Sequence, residues 1–100
     1  MITIEDIKQN SIKHPACNGK IVRIANNKTL LSIVGGDTGL YGDFEDTFEI
    51  AIFDIATNKF ITSFFYPDNN DDVVGYLGKE ELLTICNKLF KKGFQFNPKY

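Results

Sequence analysis

Thr47-Phe48-Glu49-Ile50-Ala51-Ile52-Phe53, followed by Asp54-Ile55-Ala56-Thr57-Asn58 and then Lys59-Phe60-Ile61-Thr62-Ser63-Phe64-Phe65, is the stretch that decides the fold. In its first run Phe48, Ile50 and Ile52 fall on one face of an extended chain, and Glu49 and Ala51 on the other. A period of two in β-branched and aromatic residues is the mark of a half-buried strand. Asp54 and Thr57 can bond the turn backbone between the runs, and Asn58 tolerates a left-handed conformation. The stretch reads as an antiparallel hairpin with strands over 47–54 and 59–65.

Towards the N-terminus the same chemistry repeats. Ile21-Val22-Arg23-Ile24 and Thr29-Leu30-Leu31-Ser32-Ile33-Val34 are β-rich runs separated by Asn26-Asn27, a pair suited to a tight turn. Strands are expected over 20–25 and 29–34. Before them, Thr3 stands as a helix N-cap ahead of Glu5 and Asp6, so a short helix is expected over 4–11, ended by His14-Pro15. Towards the C-terminus, Leu82, Ile85, Cys86 and Leu89 recur at helical spacing, with Glu80 and Glu81 at the start and Lys88, Lys91 and Lys92 near the end. A helix over 79–92 follows, with Gly93 placed for its C′ position. The expected architecture is α+β: a four-stranded antiparallel meander with the C-terminal amphipathic helix across one face and the short N-terminal helix alongside.

Composition is consistent with one domain over residues 1–100. The chain has 100 residues, 43% apolar and 24% charged, enough to bury a core without a disulfide or metal staple. Cys17 and Cys86 lack the spacing of a redox or zinc motif and read as free thiols. No apolar run approaches the roughly 20 residues that a bilayer demands, and the acidic start is unlike a signal peptide, so a soluble cytoplasmic protein is expected. The net charge of −2 hides three blocks, +3 over residues 1–34, −9 over 35–81 and +4 over 82–100. Segregated in space, such blocks would steer partners by charge; intermixed, they would cancel.

Catalysis finds little support. His14 and Cys17 could approach as base and nucleophile, but nothing else supplies an orienting group or an oxyanion hole. Asp68, Asn70 and Asp72 have the opening spacing of a calcium loop, yet the sixth position is Val73 and the twelfth Lys79. The tail from Lys91 to Tyr100 interleaves bases with aromatics, and Phe94 and Phe96 suit a short further strand or core packing. An acidic isoelectric point disfavours nucleic acid as a partner.

Residues 35–46 stand out. This loop is long for a link between strands and combines four glycines with Leu40, Tyr41 and Phe44 and with Asp37, Asp43, Glu45 and Asp46. Four acids without a base oppose an anion. The leading expectation is a protein-contact surface in which Leu40, Tyr41 and Phe44 are apolar anchors and Asp37, Asp43, Glu45 and Asp46 steer a basic partner. The alternative is a small ligand, a nucleotide or a divalent cation, held by the same loop. In a third reading the three large side chains fold back over the open end of the sheet. No cofactor is expected.

Ser32-Ile33-Val34-Gly35-Gly36, Gly39-Leu40-Tyr41-Gly42-Asp43 and Thr47-Phe48-Glu49-Ile50-Ala51-Ile52 together resemble small accessory proteins encoded by tailed bacteriophages. The resemblance implies a protein that binds and inhibits or redirects a host protein in the host cytoplasm. It assigns no site residue.

Overall fold

The computed structural model describes residues 1–98; the last two residues of the basic-aromatic tail, Lys99 and Tyr100, lie outside the described residues. In chain order the elements are α1 (Ile4–Gln9), β1 (Ile12–Lys13), β2 (Lys20–Ala25), β3 (Thr29–Gly35), β4 (Thr47–Asp54), β5 (Lys59–Phe60), α2 (Thr62–Phe65), β6 (Val74–Gly78), α3 (Lys79–Leu89) and β7 (Gln95–Phe96). The fold is α+β with an antiparallel sheet of seven strands rather than the expected four.

Three full-length strands, β2, β3 and β4, form the centre in the expected order. Their register places Val22, Ile33 and Ile50 in one row and Ile24, Leu31 and Ile52 in the next. All six are buried, and Leu82, Ile85 and Cys86 of α3 and Ile7 of α1 pack into the same cluster. Glu49 and Ala51 point to the opposite face, as the alternation requires.

Each outer lane of the sheet is assembled from two pieces. β1 pairs with the start of β2 and β7 with its end, so two short segments far apart in sequence share one edge. β5 and β6 likewise share the outer edge of β4. The expected strand 59–65 is correct only at its beginning, where Phe53 pairs with Phe60 and Asp54 with Lys59. At Thr62 the chain leaves the sheet, turns through α2, and re-enters the same lane at Val74. The hydroxyl of Thr62 makes this break possible. It accepts the Ile52 N–H at 3.0 Å and donates to the Asp72 carbonyl at 2.7 Å, while the Ile61 N–H satisfies the Ile52 carbonyl at 2.8 Å. A buried side chain thus replaces a strand residue where backbone pairing stops.

Both helices are shorter than expected. α1 stops at Gln9 instead of residue 11 because the side chains of Asn10 and Ser11 take the Asp6 and Lys8 carbonyls, at 2.8 and 2.7 Å. Its start is as expected, with Thr3 and Asp6 forming a reciprocal capping box. α3 stops at Leu89 instead of residue 92, since the side-chain amide of Asn26 donates to the Leu89 carbonyl at 3.3 Å and Phe90 becomes the C-cap. Gly93, at φ 148°, lies beyond that cap and is not its C′ residue. Among the described residues, no helix is long and apolar enough to cross a membrane.

Candidate functional site

The loop over residues 35–46 is stapled from inside by its own carboxylates. One oxygen of Asp43 accepts the backbone N–H groups of Glu45, Asp46 and Thr47 at 2.9, 2.9 and 3.0 Å. Those three donors hold its carboxyl well below the usual carboxylate range. Asp37 accepts the Asn18 N–H at 3.0 Å and the Thr38 N–H at 2.9 Å, and its pKa is lowered, first by the bond from Asn18. The same residue ties the loop to the segment that precedes β2. Glu45 pairs with Lys8 of α1 at 3.0 Å, and Asp46 with Lys79 at the start of α3 at 3.1 Å.

The three large side chains separate. Phe44, expected as an exposed anchor, is 2% exposed and meets Phe48 edge to face, with ring centroids 5.3 Å apart. It fills the core because its left-handed backbone, φ 60°, turns the ring beneath the loop. As a contact anchor it is therefore withdrawn. Leu40 is half-buried. Tyr41 is 47% exposed, and its ring lies 6.0 Å from that of Tyr76, which is 66% exposed.

Tyr76 was missed in the sequence, because Gly75 interrupts the β-rich run Val73-Val74-Gly75-Tyr76-Leu77 and weakens its strand signal. That glycine is required by close approach. A Cβ at Gly75 would stand 2.5 Å from the Cβ of Tyr41. The two tyrosines are also joined through the main chain, since the Tyr76 N–H donates to the Tyr41 carbonyl at 2.8 Å. The Tyr41 N–H in turn donates to Glu49 Oε1 at 2.9 Å. The surface that emerges is an exposed tyrosine pair carried by the loop and β6, with the Glu49 carboxylate held at the Tyr41 N–H and with Glu45 and Asp46 of the same loop paired to Lys8 and Lys79.

The alternatives gain no geometry. Asp37, Asp43, Glu45 and Asp46 each serve a different partner, and among the described residues no group of three or more His, Cys, Asp or Glu side chains is placed to hold a metal ion. His14 Nδ1 accepts the Ala16 N–H at 3.1 Å, and Cys17 Sγ accepts the Gly19 N–H at 3.4 Å. The neighbouring Asn18 N–H donates to Asp37, so this segment is organised as a turn tied to the loop. Cys86 is buried in the core, which pushes its thiol up to about 12.

Comparison with known proteins identifies no relative: no family model matches the chain, and no curated protein or solved structure matches it significantly.

Proposed function

We propose that this protein is a protein-binding module whose contact surface is the Tyr41–Tyr76 pair with its acidic surround, and that its partner presents a basic surface. The observation that carries the reading is Tyr76. It is two-thirds exposed, so burial does not account for it, and its φ of 54° is a conformation that costs a non-glycine residue about 1–2 kcal/mol. Strain kept at an exposed aromatic points to a use outside the fold. The stapled loop supports the same reading, because an ordered surface loses little conformational freedom on binding. Interface hot spots are rich in tyrosine, and flanking carboxylates accelerate the approach of a basic partner. A phage-type accessory protein that modulates a host protein fits this description.

The test uses the double variant Tyr41→Ala/Tyr76→Ala, with a melting curve as the control on folding. Losing a pair of hot-spot tyrosines should weaken partner capture by about 2 kcal/mol or more, roughly thirtyfold, and capture by the wild type should fall as salt rises. Capture of the same proteins by the folded double variant, at the same strength, would end the proposal.

A further inference from the structure

A second feature lies at the other end of the molecule. The contact loop leaves the sheet after Gly35, at the end of β3, whereas Lys28 stands just before its start. Lys79, paired with the loop, begins α3, and Lys88 lies near its end. Between the β2–β3 turn and the end of α3 is an open cleft of about 890 Å³, lined by Lys28, Lys88, Lys91 and Lys92. Among the described lining residues there is no Asp or Glu. The fold has brought a lysine from the basic first block of sequence to three from the basic last block.

The cleft is built rather than incidental. Asn26 binds its two walls together, donating to the Leu89 carbonyl at 3.3 Å while its side-chain oxygen accepts the Lys28 and Thr29 N–H groups at 2.9 and 2.8 Å. The Ile55 N–H braces the same turn on the Lys28 carbonyl at 3.0 Å. Pairing of Gln95 with Ala25 anchors the far wall to the sheet. Phe94, 41% exposed, also lines the cleft. Its ring meets those of Phe90 and Phe96 edge to face at 6.4 and 5.3 Å, which fixes its position while leaving surface open.

We infer that this cleft binds single-stranded nucleic acid, with phosphates on Lys28, Lys91 and Lys92 and a base stacked on Phe94. Lysines alone would serve any polyanion. A fixed, half-open aromatic ring among them is what a nucleobase uses and a carboxylate does not. Lysine offers a point charge without the planar fork that reads bases, so binding is tolerant of sequence. The acidic isoelectric point disfavours nucleic acid for the chain as a whole, but the carboxylates that set it lie outside the cleft, whose described lining carries lysines alone among charged residues. The seven residues of β3 separate cleft from acidic loop by about 20 Å at ~3.4 Å per residue. That is about two screening lengths at physiological salt, so the lysines act locally.

The experiment is fluorescence anisotropy with a labelled oligothymidylate of about 16 nucleotides, the upper end of a single-domain footprint. Wild type should bind saturably at low salt. Lys28→Gln/Lys91→Gln/Lys92→Gln should bind more weakly and flatten the slope of log affinity against log salt by about 2, at about 0.7 for each phosphate no longer neutralised. Phe94→Leu should weaken binding about tenfold and leave the slope unchanged. Tyr41→Ala/Tyr76→Ala should bind the oligomer like wild type, which keeps this site distinct from the contact surface. Melting curves confirm that each variant is folded. The inference is overturned if wild type does not bind, if both cleft variants bind normally, or if a polyglutamate peptide or a free mononucleotide competes as well as unlabelled oligomer.

Discussion

Phe44 and Tyr76 make the most instructive contrast in the molecule. Both are aromatic and both hold a left-handed backbone, at φ 60° and 54°. For Phe44 the conformation drives the ring into the core, where burial of about 1.5–3 kcal/mol offsets the backbone cost. For Tyr76 it holds the ring in solvent beside Tyr41, and no comparable burial offsets it. One left-handed aromatic is buried in the core and the other stands in solvent, although neither can be distinguished by residue type or backbone angle. Burial makes the distinction.

The contrast can be broken most sharply at Phe44. Phe44→Ala should lower the unfolding free energy by about 3–5 kcal/mol, the usual cost of emptying a buried aromatic site, as measured by denaturant unfolding. A loss below about 1 kcal/mol would place Phe44 outside the core. Tyr76→Gly should act in the opposite sense: relief of strain, set against the greater chain freedom of glycine, leaves stability unchanged or raises it by up to about 1 kcal/mol while partner capture is lost. A destabilised Tyr76→Gly would show that the exposed ring serves the fold after all.

The smallest effect concerns Asp43, whose carboxylate holds the turn that delivers Phe44 inward. Its pKa is lowered in the folded state by N–H donors from Glu45, Thr47 and Asp46. As pH falls, the unfolded chain therefore takes up this proton first. The stabilisation is fully present above the unfolded value of about 3.9 and is lost progressively as pH falls below it. Melting temperatures from neutral pH down to about pH 3 should decline more steeply for wild type than for Asp43→Asn. Parallel curves would remove Asp43 from the acid response.

Periodicity made the centre of the fold legible. The runs at 20–25 and 47–54 became strands with those bounds, and the third, read as 29–34, extends one residue further. Long buried strands write their faces into sequence. The periphery did not, because pairing there is set by partners. Ile12–Lys13 and Gln95–Phe96 are too short to show a period, and they are strands only because β2 offers them an edge. Phe60-Ile61-Thr62-Ser63-Phe64-Phe65 is equally apolar as strand or helix, and the decision fell to one hydroxyl of Thr62. The acidic loop was visible as a unit, but the fate of each large side chain was not. Phe44 turned inward and Tyr41 stayed out. Tyr41's companion Tyr76 lies 35 residues further along the chain, a distance that local patterning cannot span. Net charge, read over the whole chain, concealed the lysine cleft that folding assembles from both basic blocks.

The piecemeal outer lanes have a consequence for life in a crowded solution. A sheet rim with a long row of unpaired N–H and C=O groups invites another chain to add itself as the next strand, the first step towards fibrous aggregates. Here one rim consists of two dipeptides, and the other is cut at Thr62, resumes with an irregular register between Phe48 and Ile50, and ends in a glycine. An incoming strand finds no straight template of ordinary length on either side. Interruption of both rims, one of them by α2, guards the sheet against its own kind.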